Sequence, residues 1–225
     1  RHSRCKRDAL PTELTAPFNI CIRNFGKNDN KELIYFSKKI TFRINYLGNP
    51  LFKIKPSSWI IEQVNSLQIN SKIDILDFAS GTGRHCINLA NNSRIITAID
   101  KDKNKLDLYK NLNNIKTICF DLESNDDWPL EKEGFDIIIV ANYLYRPKIK
   151  KLANYLKKEG FLIYETFALG NENYGRPSNP DYLLKHKELI KLFKNKFEIM
   201  YYFQGKVIYD RISIKQRCSL KKRAP

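Results

Sequence analysis

The chain has 225 residues, somewhat more than an average domain, which favours one core with appendages over two separate cores. Its five cysteines form no Cys-x-x-Cys pair and have no histidine cluster beside them, which argues against a metal site and a disulfide framework. The net charge of +16 is spread along the chain, so a general bias toward Lys, Ile and Asn explains it as well as nucleic-acid binding does.

No apolar run approaches the ~20 residues that a membrane-spanning helix needs. The N-terminus also lacks the apolar region and small-residue cleavage site of a signal peptide. We therefore expect a cytoplasmic protein with no membrane partner, and the sequence makes no prediction of its oligomeric state.

Residues 1 to 48 lack a clear pattern. Arg1 to Pro17 is polar and basic, with two prolines and no usable period. Between residues 18 and 48 the apolar side chains follow neither helical nor strand spacing. We expect residues 1 to 48 to be a poorly defined extension, disordered or not native, and residues 49 to 225 to form one folded domain.

The pattern sharpens at Pro56, where Ser57 or Ser58 can cap a helix. Short apolar runs rich in Ile and Val then predict five buried parallel strands, at Ile73–Phe78, Ile95–Ile99, Ile115–Phe120, Phe135–Ala141 and Phe161–Thr166. Helical stretches are predicted between them, at Arg84–Asn91, Lys103–Asn111 and Lys148–Lys157. This alternation predicts an α/β fold with a doubly wound, Rossmann-like sheet.

A last helix is predicted over Asp181–Lys194. Two apolar runs follow, Phe197–Phe203 and Ile208–Ile214, with Gln204-Gly205 between them. We interpret them as an antiparallel strand pair that closes a mostly parallel sheet.

The first strand ends at Asp77 and leads through small residues into a helix, so the backbone can approach a ligand closely. The predicted cofactor-binding residues of this turn are Asp77, Ala79, Ser80, Gly81, Thr82 and Gly83. A dinucleotide motif would read G-x-G-x-x-G, but position 79 is Ala and position 86, three residues after Gly83, is Cys. A pyrophosphate is therefore not the expected ligand.

Acidic residues lie at the ends of three successive predicted strands. Asp77 suits the ammonium of a methionine moiety, and Asp100 can accept both hydroxyls of a ribose. Lys101, next to Asp100, is also predicted to bind the cofactor. Asp121 and the backbone of Leu122 would face an adenine. The alternative is that these aspartates only cap or end elements. Taken together, the three acids indicate S-adenosylmethionine as cofactor.

From about Pro56 to Arg217 the chain resembles a bacterial family of class I methyltransferases of uncertain substrate. The resemblance is carried by LDFASGTGRH, DLE...WPL, ANYLYRP and especially YETFALGNENYGRPSNPDYLL. Phe78 and Ser80 depart mildly from a family motif similar to D-L-A-C-G. The resemblance implies a seven-stranded sheet, S-adenosylmethionine at the strand ends, and an acceptor site in the loops after the fourth and fifth strands.

On the acceptor side, Asn142 is expected to face the cofactor. A pocket is expected to be lined by Tyr143, Tyr145 and Arg146; alternatively, the tyrosines pack on the adjoining helix and the arginine is solvated. Glu165 is the predicted catalytic residue, as a base or as an orienter of the acceptor. Arg176 suits an anionic acceptor, or else binds loop carbonyls. We expect a small-molecule acceptor; the alternative is an RNA or protein methyltransferase that uses the basic surface.

Overall fold

The structure, a computed structural model, describes the backbone of residues 20–21, 33–37 and 40–44, and then residues 55–67, 69, 71–208 and 211–224 in full. The chain divides into two compact units, Arg1–Pro50 and Leu51–Pro225. The predicted disorder of Arg1 to Pro17 lies outside the described residues. The predicted domain boundary after residue 48 stays a prediction.

In the first unit, three strands form an antiparallel sheet in the order β1-β2-β3. They are β1 (Ile20–Cys21), β2 (Leu33–Ser37) and β3 (Ile40–Ile44). The spacing of apolar residues in this region predicts neither helix nor strand. The segments are rich in β-branched and aromatic residues, which suit strands, but they lack the strict alternation that identifies a half-buried strand.

The second unit begins with helix α1 (Ser58–Ser66). Its N-cap is Ser57, whose hydroxyl accepts the backbone N–H of Ile60. The predicted cap is therefore confirmed at the first of the two serines. The helix buries Trp59, Ile60 and Val64, which follow helical spacing on one face.

A seven-stranded sheet with the order β6-β5-β4-β7-β8-β10-β9 forms the centre of this unit. The first five strands are parallel, and β10 runs antiparallel to both of its neighbours. The strands are β4 (Ile73–Phe78), β5 (Arg94–Asp100), β6 (Ile115–Cys119), β7 (Phe135–Ala141), β8 (Leu156–Phe167), β9 (Phe197–Ile208) and β10 (Ile212–Lys222). The predicted fold class, including the antiparallel closing strands, is confirmed.

Both faces of the sheet are buried. Along β7, Ile138 packs into one hydrophobic cluster, while Ile137 and Ile139 pack into the cluster on the opposite face. Two-sided burial explains why the parallel strands read as continuous apolar runs rather than as an alternation of apolar and polar residues. In the described part of the chain, no helix is long and apolar enough to cross a membrane.

The helices are shorter than predicted: α2 (Cys86–Leu89), α3 (Lys103–Asp107) and α4 (Glu188–Phe193). A 3-10 helix at Ile149–Asn154 replaces the longer helix predicted there, because Leu156 already pairs with β7. The helix predicted over Asp181–Lys194 is also divided. Pro180–Tyr182 is a 3-10 turn, and Leu184 forms a bridge to Ala168 before α4 begins.

The predicted separation of the last two strands at Gln204-Gly205 is wrong, because β9 continues through both residues to Ile208. Gly205 pairs with Lys215 of β10. A Cβ atom at Gly205 would lie 3.1 Å from the ring of Phe203. The glycine therefore makes room for that ring inside a strand, which local sequence cannot distinguish from a turn.

Candidate active site

The order of strands places two loops side by side at the carboxyl edge of the sheet. From β4 the chain proceeds to β5 on one side, whereas β7 lies on the other. In open α/β sheets, ligands bind in the crevice at such a point. Ala79 follows β4 with φ of 58°, and Asn142 follows β7 with φ of 56°. Left-handed backbone at residues other than glycine is strained and concentrates at functional sites.

A cavity of about 300 Å³ opens at this crevice. We call it the acidic cavity; it is lined by Ala79, Asp100, Lys101, Lys105, Asp121, Leu122, Glu123, Asn142 and Tyr143. Six of these are predicted cofactor residues, so the structure brings together the ends of β4, β5, β6 and β7 around one space. Tyr143, predicted on the acceptor side, lines the same cavity.

Asp100 holds the glycine turn in place. Its Oδ2 accepts the N–H of Gly81 at 2.8 Å, and its Oδ1 accepts the N–H of Asp102 at 2.9 Å. An ionised carboxylate accepts about four hydrogen bonds, so roughly two remain available at a residue that lines the cavity. That capacity fits the two hydroxyls of a ribose.

Tyr109 supports the turn from below and was not predicted. Its hydroxyl lies 2.9 Å from Ser80 Oγ and donates to the carbonyl of Gly81 at 3.1 Å. A Cβ at Gly83 would lie 2.7 Å from the tyrosine ring, so only glycine fits there. In the sequence, Tyr109 is one apolar position of a helix and carries no functional signal. Ser80 and Gly83 thus pack against Tyr109, and neither they nor Thr82 lines the cavity.

Asp77 is buried under the glycine turn and does not line the acidic cavity. It is 1% exposed, and its Oδ2 accepts the N–H of Cys86 at 3.2 Å. Burial raises the pKa of Asp77 to about 7. Its predicted contact with a methionine ammonium stays a prediction.

A second cavity of about 320 Å³, which we call the basic cavity, is lined by Lys55, Pro56, Ser57, Ser58, Arg84, Glu165 and Lys215. Glu165 is completely buried in its wall. The carboxylate binds Lys215 Nζ at 3.0 Å through Oε1, and Arg217 Nε at 2.7 Å through Oε2. The hydroxyl of Ser57 donates to Oε2 at 3.2 Å.

These partners decide which predicted role of Glu165 fits the geometry. Burial by itself raises the pKa of Glu165, but the charges of Lys215 and Arg217 outweigh it and lower the pKa below its usual value. A carboxylate with a low pKa is a weak proton acceptor. The arrangement therefore favours an orienting role over that of a base.

Lys215 links the two cavities and was not predicted either. Its Nζ donates to Asn142 Oδ1 at 2.7 Å as well as to Glu165, and the residue is 5% exposed. The sequence signal is weak: Lys215 and Arg217 are basic residues within an apolar segment, in a chain where lysine is common. Arg217 lies over the rings of Trp59 and Phe203, 5.3 Å and 5.8 Å from their centroids.

His85, next to Arg84, accepts the N–H of Ser57 through Nε2 at 3.2 Å. Burial lowers the pKa of His85 to about 3, so the ring is neutral over the physiological range. The neutral ring holds Ser57, the N-cap of α1, in position.

Two predicted acceptor-side arginines lie elsewhere. Arg146 forms a bidentate pair with Glu188, at 2.7 Å and 3.1 Å, and donates to the carbonyl of Leu183. The pocket role expected for Arg146 is wrong, since its guanidinium anchors the segment before α4. Arg176 is exposed, lines neither cavity, and accepts a hydrogen bond from Arg211 through its carbonyl.

The family described as "Methyltransferase domain" matches residues 69–218 of the chain. The chain belongs to this family. The match extends from just before β4 into β10, so it contains both Asp100 and the Glu165–Lys215–Arg217 cluster. A comparison with curated protein sequences gave no match.

Solved structures share the fold. A S-adenosylmethionine-dependent methyltransferase from Methanosarcina mazei superposes with a TM-score of 0.58 at 19% identity, covering 76% of this chain and 100% of the other. TehB from Haemophilus influenzae superposes with a TM-score of 0.60 at 17% identity, covering 75% of this chain and 63% of the other. A putative S-adenosylmethionine-dependent methyltransferase from Listeria monocytogenes superposes with a TM-score of 0.57 at 16% identity, covering 73% of this chain and 96% of the other. Likenesses at these identities carry the fold alone.

The prediction of a methyltransferase is thus confirmed at the level of the family. The roles of the individual cofactor and acceptor residues remain predictions, and the structure supplies their positions and contacts. In the described part of the chain, no group of three or more His, Cys, Asp or Glu side chains could hold a metal ion.

The raised pKa of Asp77 predicts how the free energy of unfolding changes with pH. Its pKa is near 3.8 in an unfolded chain and about 7 in the folded one, so between these values the native state binds the extra proton. Its contribution to stability therefore falls as the pH rises from about 4 to about 7. We expect the Asp77→Asn variant to gain stability relative to the parent over this range, measured by urea unfolding. Exposed Asp107→Asn is the control, and a constant difference between Asp77→Asn and the parent would contradict the assignment.

The buried cluster predicts a stability difference between two glutamates of β8. Glu165→Gln removes the buried carboxylate that Lys215 and Arg217 both bind, so we expect a loss on the order of 3 kcal/mol in unfolding free energy. Glu159→Gln, which breaks an exposed pair with Lys221, should cost less than about 1 kcal/mol. Equal losses in urea unfolding would show that the cluster is not a special source of stability.

Proposed function

We propose that the chain transfers a methyl group from S-adenosylmethionine, bound in the acidic cavity, to a small-molecule acceptor in the basic cavity. The observation that carries this proposal is the hydrogen bond between Asn142, which lines the first cavity, and Lys215, which lines the second. One direct contact joins the walls of two cavities, each of about 300 Å³, which is the lower end of the usual size range for small-molecule sites.

The donor fits the chemistry of the acidic cavity. In our proposal, Asp100 accepts the ribose hydroxyls with its remaining lone pairs. Asp121 uses Oδ1 for the N–H of Glu123, which leaves Oδ2 for an exocyclic amino group. Leu122 is buried beside it and supplies an apolar contact for a base ring. S-adenosylmethionine has no phosphate, which agrees with the carboxylates around this space.

When bound, S-adenosylmethionine supplies an electrophilic methyl carbon, to which the acceptor's lone pair forms a bond while the carbon–sulfur bond breaks. The residues of this chain contribute by holding the acceptor in line at short distance, which can be worth effective molarities of ~10⁵ M or more. Glu165 holds Lys215 against Asn142. The proposal needs no general base unless the acceptor must lose a proton.

A polymer acceptor has weaker support. A cavity of about 690 Å³ is rich in basic residues, but it is formed by the amino ends of β7 and β8 and the carboxyl end of β10. Its cationic lining residues are Lys132, Lys158, Lys196, Lys222 and Arg223. A strand of seven residues such as β7 spans ~23 Å. RNA bound there would lie about one strand length from the acidic cavity.

The donor assignment predicts that Asp100→Ala weakens adenosylhomocysteine binding by about 100-fold or more, since two hydrogen bonds to a charged group are lost. Calorimetric titration measures this. Asp107→Ala, an exposed aspartate paired with Lys110, should bind like the parent. Because Asp100 also holds Gly81, the melting temperature of each variant is recorded beside the titration. Binding by Asp100→Ala within twofold of the parent would refute the assignment.

The acceptor class is tested with methyl-labelled S-adenosylmethionine and three separate substrates: a low-mass metabolite extract, total RNA and denatured protein. We expect label in low-mass product only. Label that precipitates with RNA or protein, with none in the low-mass fraction, would overturn the small-molecule proposal. A heat-treated enzyme sample controls for spontaneous methylation.

A further inference from the structure

The basic cavity has an excess of positive charge. Three of its lining side chains are cationic, those of Lys55, Arg84 and Lys215. Among the described residues that line it, Glu165 is the one carboxylate, and both oxygens of that group are engaged by Lys215 and Arg217. In a partly enclosed space of low dielectric, such an excess attracts an anion strongly.

Arg84 is the cation best placed to receive that anion. Among the described residues its guanidinium forms no ion pair and no hydrogen bond, and only its backbone carbonyl is engaged, by Asn88. Its charge contributes to the lowered pKa of Lys215, which places the two cations within electrostatic reach of each other. A guanidinium binds a carboxylate or a phosphate through two parallel N–H groups.

The first turn of α1 adds to the same potential. Pro56, Ser57 and Ser58 line the cavity, so the amino end of this nine-residue helix faces it. No acidic residue occurs in that turn to offset the positive end of the helix dipole. Helix amino ends commonly receive anions.

We propose that the basic cavity binds an anionic group of the methyl acceptor, a carboxylate or a phosphate, with Arg84 as its principal contact. The inference rests on the small-molecule function proposed above and deepens it by naming the class of acceptor. An anion beside Arg84 and Lys215 is anchored next to Asn142, which lines the donor's cavity. The anionic group is the anchor, and the methylated atom is another part of the same molecule.

A carboxylate in this cavity has a second possible source, the methionine end of the donor itself. The two sources are separated by titrating inorganic phosphate into the protein saturated with adenosylhomocysteine, whose own carboxylate is then already bound. Ionic strength is held constant with sodium chloride. We expect phosphate to bind this complex, and Arg84→Gln to weaken that binding at least 10-fold.

Arg223→Gln is the matched control, because Arg223 lines the separate cavity of about 690 Å³ at the opposite edge of the sheet. It should bind phosphate within twofold of the parent. The proposal is wrong if Arg84→Gln binds phosphate like the parent, or if the loss occurs in Arg223→Gln instead. It is also wrong if phosphate displaces adenosylhomocysteine rather than binding beside it, since the cavity then holds the donor's carboxylate.

A second measurement uses turnover. The metabolite extract is separated on an anion-exchange resin before the reaction, and each fraction is incubated with labelled donor. We expect the acceptor in the retained, anionic fraction; an acceptor confined to the unretained fraction contradicts the proposal. Failure of the small-molecule function would be recognised separately, by label in RNA or protein, whatever the phosphate titration gives.

Discussion

The buried carboxylate of Glu165 joins parts of the chain that are far apart in sequence. It lies opposite Arg217 across the β8–β10 pair, with Lys215 two residues further along the same strand and Ser57 reaching it from the start of α1. A carboxylate fully removed from water remains ionised only when such partners surround it. Through Lys215 the same cluster reaches Asn142. One network of hydrogen bonds and ion pairs therefore connects α1, β8, β10 and the loop after β7.

The position of β10 is what makes this cluster possible. It is the last strand of the chain, yet it lies between β8 and β9. Its antiparallel pairing brings a residue 52 positions away in sequence directly against Glu165. Residues at i and i+2 of a strand point to the same face, so Lys215 and Arg217 approach the carboxylate together.

The two cavities differ in charge because different parts of the sheet form them. The ends of β5 and β6 contribute Asp100 and Asp121, whose carboxylates suit hydroxyl and amino groups. The start of α1, the glycine turn and β10 contribute Ser57, Arg84 and Lys215, which suit an anion. In the proposed reaction this difference lets donor and acceptor bind side by side without competing for the same groups.

Local sequence was sufficient for the five parallel strands of the large sheet and for the residues at their carboxyl ends. A strand buried on both faces, such as β7, leaves a continuous apolar run. Asp100 is the last residue of β5, and Asp121 lies two residues after β6. Helix lengths and the point of separation between the last two strands were predicted less well. Ile149 and Leu152 have helical spacing, but pairing of Leu156 with β7 ends the helix early.

By itself, then, the sequence determined the α/β fold, the family, and the acids that line one cavity, because each depends on short-range pattern. Only the tertiary structure decided the partners of Glu165, the pairing of Arg146 with Glu188, and the place of Arg84 in a basic cavity. Whether a charged side chain is solvated, structural or available to a ligand depends on neighbours brought from distant positions. Periodicity and motif spacing carry no information about those neighbours.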